Sequence, residues 1–417
     1  MPAGTDMKKN VLLNTAGSVW YSLCQWLMTV LIIHMSTDYR AAGVLGLAMT
    51  VTNAFTTLSS FGMRNFQISD VTGRYRDSEY LSSRLVTAAA AYLSCAVYTF
   101  CIGCTAEECV CVLIWMLLRL TESVNDVYQG IQQLHDRYDM IGISYFMRGG
   151  VQIMLFVAGY LLTKRLDITF AAMFLASLAI LLLFDVRKTG RLAGIGAPKL
   201  SGRIFSLLKE CAGLVVFNFV FGSFATVARV AVRQQLGQEE LGVYSTVASP
   251  TVVIPLVILV MYTPFIPVIA RMYGEEDGAG LKRYMRVTLL IFAAAFAAVT
   301  AGGMLLGKPV LGLLYNEGIA ARNELLVPLL WSTLLTGAVG FFAAVLIAMR
   351  RTVPLVICSV VAFALNYALS QLLVRSAGAN GASMAQVISQ ALLTAALLLF
   401  VMSGIRDRSG KDRHGGL

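Results

Sequence analysis

Runs of apolar residues, each closed by a short polar and usually basic stretch, recur along the whole chain. A helix needs about 20 mostly apolar residues to cross a bilayer. Twelve segments meet this length, at about 11–34, 41–62, 84–104, 108–131, 142–163, 167–186, 206–229, 241–268, 286–306, 324–348, 353–374 and 381–403. None has the short alternating pattern of a membrane β-barrel. Hydrocarbon offers no water to open backbone groups, so all twelve are predicted helices. The longest basic interruption, RKTGRLAGIGAPKLSGR (187–203), separates six from six. The predicted fold class is an all-α polytopic membrane protein, with about twelve transmembrane helices in two pseudo-symmetric six-helix bundles. The expected organisation is an N-terminal bundle over 1–190, a cytoplasmic linker over 191–205, a C-terminal bundle over 206–405 and a cytoplasmic tail over 406–417.

The halves echo each other weakly. Gly43-Val44 opens the second segment and Gly242-Val243 the eighth, while Val86-Thr87 and Val287-Thr288 lie at the starts of the third and ninth. With six segments each, both halves start from the same side, as in parallel-repeat transporters. Composition agrees with a lipid-bathed chain: 57% of residues are hydrophobic and 13% charged, against about 25% charged in a soluble domain. The segment after MPAGTDMKKN is long and polar-spotted, and is expected to be a retained first span rather than a cleaved signal.

The net charge of +10 sits mostly in the loops. With the N-terminus inside, 24 of the 33 Lys and Arg face the cytoplasm, eight face outward, and Arg119 lies within a span. This is the positive-inside pattern, with both termini cytoplasmic, and not a nucleic-acid-binding face. Extramembrane segments of at most about 20 residues leave no room for a nucleotide-binding domain, and no P-loop spelling occurs. Any driven transport would draw on an ion gradient, the membrane potential or the substrate gradient. Cys95, Cys101, Cys104, Cys109 and Cys111 bracket one turn. They read as ordinary packing, an outward disulfide or a metal motif, although no His lies near. No metal site, cofactor or catalytic constellation stands out, so an enzyme is not expected.

Polar groups inside spans usually face a cavity or a partner helix. In the fourth segment, LLRLTESVNDVYQGIQQ, Arg119, Glu122, Asp126 and Gln133 share one helix face. They read as an internal Arg119–Glu122 pair or as the lining of a water-filled cavity. Glu122 and Asp126 are candidate proton or cation sites, because a poorly solvated carboxylate has a raised pKa. The seventh segment repeats the logic with Asn218, Gly222, Thr226, Arg229 and Arg233. The first adds Asn14, Ser18, Tyr21, Ser22 and Gln25, and the eleventh Asn366 and Ser370. Pro250, Pro255, Pro264 and Pro267 in the eighth read as a static kink or a hinge. Ranked by depth, Arg64 and Arg148 lie at inner ends, Arg119 near the midplane, and Arg229 and Arg233 toward the outside. Guanidinium groups suit phosphate through paired, charge-assisted hydrogen bonds. The candidate cargo-binding set is therefore Arg64, Arg119, Arg148, Arg229, Arg233, Asn218 and Gln25.

The most distinctive text runs from Ser59 to Thr87: Gly62-Met63-Arg64-x-x-Gln67-x-x-Asp70-Val71, then Tyr80, then Arg84-x-x-Thr87. It is joined by LLNTAGSVWYSL, by Arg137-Tyr138-Asp139-Met140-x-Gly142-x-Ser144-x-x-x-Arg148, by Asp185 and by ARVAVRQQLGQEELGVYS. Over roughly residues 8–275 this resembles the Wzx-type flippases of the multidrug/oligosaccharidyl-lipid/polysaccharide (MOP) flippase superfamily. Tyr138 and Met140 depart from the family's Leu and Ile, and Ala228 and Val230 from its Pro and Tyr around Arg229. The resemblance implies two six-helix bundles around a central basic cavity in the bacterial cytoplasmic membrane. It also implies an oligosaccharide on polyprenyl pyrophosphate as cargo, moved from the inner to the outer leaflet. Arg64, Arg148 and Arg229 are the contacts it carries over, and Gln67 and Asp70 are expected to brace an inner gate. A polysaccharide polymerase and glycosyltransferases are the pathway partners, besides the lipid-linked glycan and membrane lipid. The alternatives are a drug/cation exporter of the same fold, or a membrane glycan polymerase or ligase, which would usually need a large outward loop.

Overall fold

A computed structural model of the chain describes residues 3–36, 39–69, 75–194, 202–262, 266–275, 277–349 and 351–411. Among the described residues there are helices and no strand. The first compact unit runs Met1–Gly222 and the second Ser223–Leu417. The first contains α1 (Ala3–Met35), α2 (Arg40–Ser60), α3 (Met63–Ser69), α4 (Asp77–Cys101), α5 (Ala106–Leu134), α6 (Tyr138–Thr163), α7 (Leu166–Ile180), α8 (Arg187–Leu192) and α9 (Gly202–Gly222). The second contains α10 (Phe224–Leu236), α11 (Gln238–Ala248), α12 (Val253–Tyr262), α13 (Ile266–Gly274), α14 (Gly278–Leu314), α15 (Glu317–Ala320), α16 (Leu326–Ala348), α17 (Thr352–Ala377) and α18 (Ala379–Lys411).

Among the described residues, ten helices are long and apolar enough to cross a membrane. They correspond to ten of the twelve segments predicted from the sequence. The other two depart for physical reasons. The fourth is α5, an uninterrupted helix with Arg119, Glu122 and Asp126 along it. It packs against α2, α4, α6 and α7, so those charges face protein rather than lipid. Thr105 starts it with a capping box: Glu108 donates its N–H to Thr105 Oγ1 (3.3 Å), and Thr105 donates its N–H to Glu108 Oε2 (2.8 Å). The eighth is not one helix. Pro250 falls in a 3-10 turn, Ser249–Val252, that ends α11, while Pro255 and Pro267 sit in the first turns of α12 and α13. Proline lacks the N–H that a helix interior needs, but the first turn does not use it. Pro264 lies outside the described residues.

The boundary between the two compact units, Gly222/Ser223, falls inside the seventh segment. Helix α9 packs on α2 and α4, with Phe219 edge-on to Phe55 at 5.7 Å. It therefore belongs with the first unit. In lipid an apolar surface gains nothing by leaving the solvent, so helices meet through close packing and polar bonds. The α1–α6 crossing illustrates this. A Cβ on Gly142 would stand 2.5 Å from the Leu13 carbonyl oxygen, and one on Gly17 would strike the Gly142 carbonyl. Outward positions such as Leu162 and Leu313 are exposed, as lipid-facing residues should be. In the second unit α16 packs on α12, α14 and α18, and α10 on α17 and α18.

Candidate functional site

The site is built on α5. From Arg119 to Gln133 the helix carries polar side chains over roughly 20 Å, at 1.5 Å per residue. Its carboxylates each meet a guanidinium. Glu122 accepts hydrogen bonds from Arg119, on its own helix, and from the Tyr21 hydroxyl of α1. Asp126, one turn on, is shared: Arg64 Nη1 lies 3.2 Å from Oδ1 and Arg84 Nη2 2.8 Å from Oδ2. Arg64 also donates to Gln129 Oε1 (2.9 Å) and Gln133 Oε1 (3.2 Å). On the facing helix, Arg148 donates from Nη2 to Asp185 Oδ2 at 2.9 Å and from Nε to Ser144 Oγ at 3.3 Å. Ser144 in turn donates to Asp185.

Local sequence explains how these groups arrive. Helix α2 stops because Phe61 (φ 51) and Gly62 (φ 63) turn left-handed. The C-terminal carbonyls of a helix lack partners of their own. The Ser59 carbonyl accepts from Arg84 Nη1 (2.9 Å) and from Thr87 Oγ1 (2.8 Å). A cation there also suits the helix dipole. Arg84 thus caps α2 with one nitrogen and holds Asp126 with the other, while the turn delivers Arg64 on α3. The run Gly62-Met63-Arg64 … Arg84-x-x-Thr87 spells this junction. Asp185 lies in a single π-helical turn, Leu181–Val186, between α7 and α8. Such turns alter which face a side chain takes and recur at functional sites.

Between α1, α5 and α6 lies a cavity of about 240 Å³. Ser18, Tyr21 and Ser22 line it from α1, Arg119, Glu122, Asn125, Asp126 and Gln129 from α5, and Tyr145 and Arg148 from α6. Among the described residues, four guanidinium groups (Arg64, Arg84, Arg119 and Arg148) and three carboxylates stand in and around it. The two readings of the α5 face therefore coexist: Glu122 is in an internal ion pair and also lines a cavity.

Of the residues singled out by sequence, Arg119, Arg148, Glu122 and Asp126 line this cavity, and Arg64 joins it through Asp126. Gln25 sits beside it, donating to Tyr21 (3.0 Å) and Gln152 (2.7 Å). Gln67 is buried against α5, where its side chain occupies the space a Cβ would need on Gly130. Asp70 lies outside the described residues. Asn218 is exposed on α9, and Arg229 and Arg233 are half-buried on α10 in the second unit. Arg84, Tyr21, Asn125, Ser144 and Asp185 complete the arrangement but were not in the predicted set. Arg84 is legible in the sequence as an inner-side positive charge and as part of the Arg84-x-x-Thr87 motif, and Asp185 only through the family resemblance. The cysteines of the α4–α5 turn are unlinked, with Cys95, Cys109 and Cys111 buried. Among the described residues no three His, Cys, Asp or Glu gather as metal ligands.

Ten described helices long and apolar enough to cross a bilayer, with a polar cavity inside the first unit, make this a multi-pass membrane protein. Residues 212–372 match the MatE family. The capsular polysaccharide biosynthesis protein CapF of Staphylococcus aureus is 23% identical over 349 residues, which is 82% of this chain and 86% of that relative. An inward-facing multidrug resistance MATE family transporter of the MOP superfamily has TM-score 0.73 at 14% identity, covering 96% of this chain and 99% of its own. The lipid II flippase MurJ, inward closed, has TM-score 0.67 at 11% identity, covering 95% and 90%. The chain shares the fold of these two solved membrane proteins.

Proposed function

We propose that the protein is an alternating-access flippase that carries a polyprenyl-pyrophosphate-linked oligosaccharide from the inner to the outer leaflet of the cytoplasmic membrane. The observation that carries this reading is the set of guanidinium groups around the cavity of the first unit: among the described residues, Arg64, Arg84, Arg119 and Arg148 outnumber Glu122, Asp126 and Asp185. Guanidinium groups in a poorly solvated space suit a phosphorylated headgroup. Similarity to CapF supports a glycan cargo, and similarity to MurJ supports a lipid-linked one. Arg229 and Arg233 would serve the same cargo from the second unit, with Asn218 and Gln25 as polar contacts and Gln67 and Asp70 bracing the inner gate. A polymerase and glycosyltransferases would act on either side of the transport step.

A drug or cation exporter of this fold is the competing reading, supported by similarity to the multidrug transporter. A cation needs an uncompensated carboxylate, whereas each carboxylate in this cavity already has a guanidinium partner. Glu122 and Asp126 are the proposed ion-coupling groups. Glu122 is the stronger candidate, because two guanidinium groups already hold Asp126. If Glu122→Gln and Asp126→Asn both leave transport and its ion dependence unchanged, that role is wrong. The flippase itself is tested by labelling lipid-linked glycan in each leaflet after depletion of the protein. Outer-leaflet glycan should fall, and an unchanged level removes the reading.

A further inference from the structure

The cavity between α1, α5 and α6 has bonds to spare. Arg148 is buried and uses Nε and Nη2 on Ser144 and Asp185. Its Nη1, also buried, has no hydrogen-bond partner. Buried donors are nearly always satisfied, so an open one on a residue that lines a polar cavity is a donor that an anion entering there could use. The cavity's other guanidinium, Arg119, is directed at Glu122, which also takes the Tyr21 hydroxyl. Glu122 is itself an anion, seated on the donors an incoming anion would use.

On the reading proposed above, we infer that Glu122 is a resident stand-in for the cargo's phosphate. A diphosphate headgroup enters on Arg148 Nη1 and displaces the Glu122 carboxylate from Arg119 and Tyr21. A diphosphate esterified at both ends still offers two non-bridging oxygens on each phosphate, against Glu122's two in all, and matches guanidinium geometry in pairs. The exchange has a mechanical consequence. Tyr21 belongs to α1 and Glu122 to α5, and their hydrogen bond crosses between the two helices. Helix α1 otherwise leans chiefly on α6. Displacing Glu122 unties α1 from the central helix only when an anion has arrived. A ligand shifts a conformational equilibrium by its differential contacts, and this exchange supplies them.

The test is calorimetric titration of the purified full-length protein in detergent micelles with inorganic pyrophosphate. Glu122→Gln removes the competing charge while keeping the side chain's shape, and should tighten pyrophosphate binding about tenfold, a usual size for coupled sites. Glu122→Asp, too short to reach both donors, should give a smaller gain and serves if the Gln variant does not fold. Glu107→Gln makes the same change in net charge at an exposed residue paired with Arg40 and should change nothing. A short-chain polyprenyl diphosphate should displace the pyrophosphate. The inference is overturned if Glu122→Gln binds no tighter than the native protein, or if Glu107→Gln gains as much. It is also overturned if polyprenyl diphosphate fails to compete, which would mark a free-phosphate site. Leaflet labelling keeps the two proposals apart. Flipping without a gain in Glu122→Gln overturns the stand-in role alone, and tighter binding without flipping overturns the flippase reading alone.

Discussion

Replacing Asp185 with alanine strands a cation. Arg148 and Asp185 are 1% and 0% exposed, so water cannot substitute directly for the lost carboxylate. The 2.9 Å bond from Nη2 goes, and Ser144 loses the acceptor of its hydroxyl. Nη1 is already open, so the guanidinium keeps only its Nε bond to Ser144. Removing one partner of a buried pair costs about 3–5 kcal/mol, and replacing both with apolar groups is often near neutral. Arg148 also borders the cavity, whose polar walls can compensate part of the charge, so the lower end, about 3 kcal/mol, is expected. Unfolding in mixed detergent micelles, followed by helical circular dichroism, measures it. The double variant Arg148→Met/Asp185→Leu should recover at least about 2 kcal/mol of that loss while transport remains abolished. The reasoning is refuted if Asp185→Ala costs under about 1 kcal/mol, or if the double variant is as unstable as the two single changes added.

Three further outcomes follow from other contacts. Arg84→Lys keeps the charge but not the fork that reaches Ser59 and Asp126 together, so the same unfolding assay should find a loss of about 1–3 kcal/mol. Gly142→Ala puts a methyl group 2.5 Å from the Leu13 carbonyl; overpacking of this kind costs about 1–3 kcal/mol and should loosen α1 from α6, read as faster proteolysis of α1. Arg322 bonds to Glu240 and Glu324, and the Glu240 hydrogen bond comes first among the causes that raise it above the usual guanidinium value. Stability from a raised basic group is present below its unfolded pKa and is lost only as pH climbs through the folded one. The guanidinium should therefore add no pH dependence between neutrality and strong alkali, and Arg322→Ala should cost at most about 1 kcal/mol, as for other partly exposed pairs.

The seventh and eighth segments mark where hydropathy stops informing. It reports how apolar a stretch is, not which neighbours it meets. Nothing in GRIFSLLKECAGLVVFNFVFG says that α9 packs on α2 and α4. The prolines of 241–268 could not be divided between kink and break until the flanking helices were traced. Arg84 is the clearest case within the site. The sequence marks it as a loop-edge cation in the Arg84-x-x-Thr87 motif without its partners, which are Ser59, 25 positions away, and Asp126, 42 positions away.

Composition and periodicity alone determined that this chain lives in lipid as a helical bundle, that its fourth segment turns a charged face inward, and that Arg119 and Glu122 share that face. These are properties of one segment and its solvent, and a 3.6-residue period carries them. Only the tertiary structure decided which guanidinium holds which carboxylate, and which nitrogen of Arg148 has no hydrogen-bond partner. Such pairings join residues from separate helices, and their geometry is fixed by how α1, α5, α6 and the π-turn after α7 come together, which no local pattern encodes.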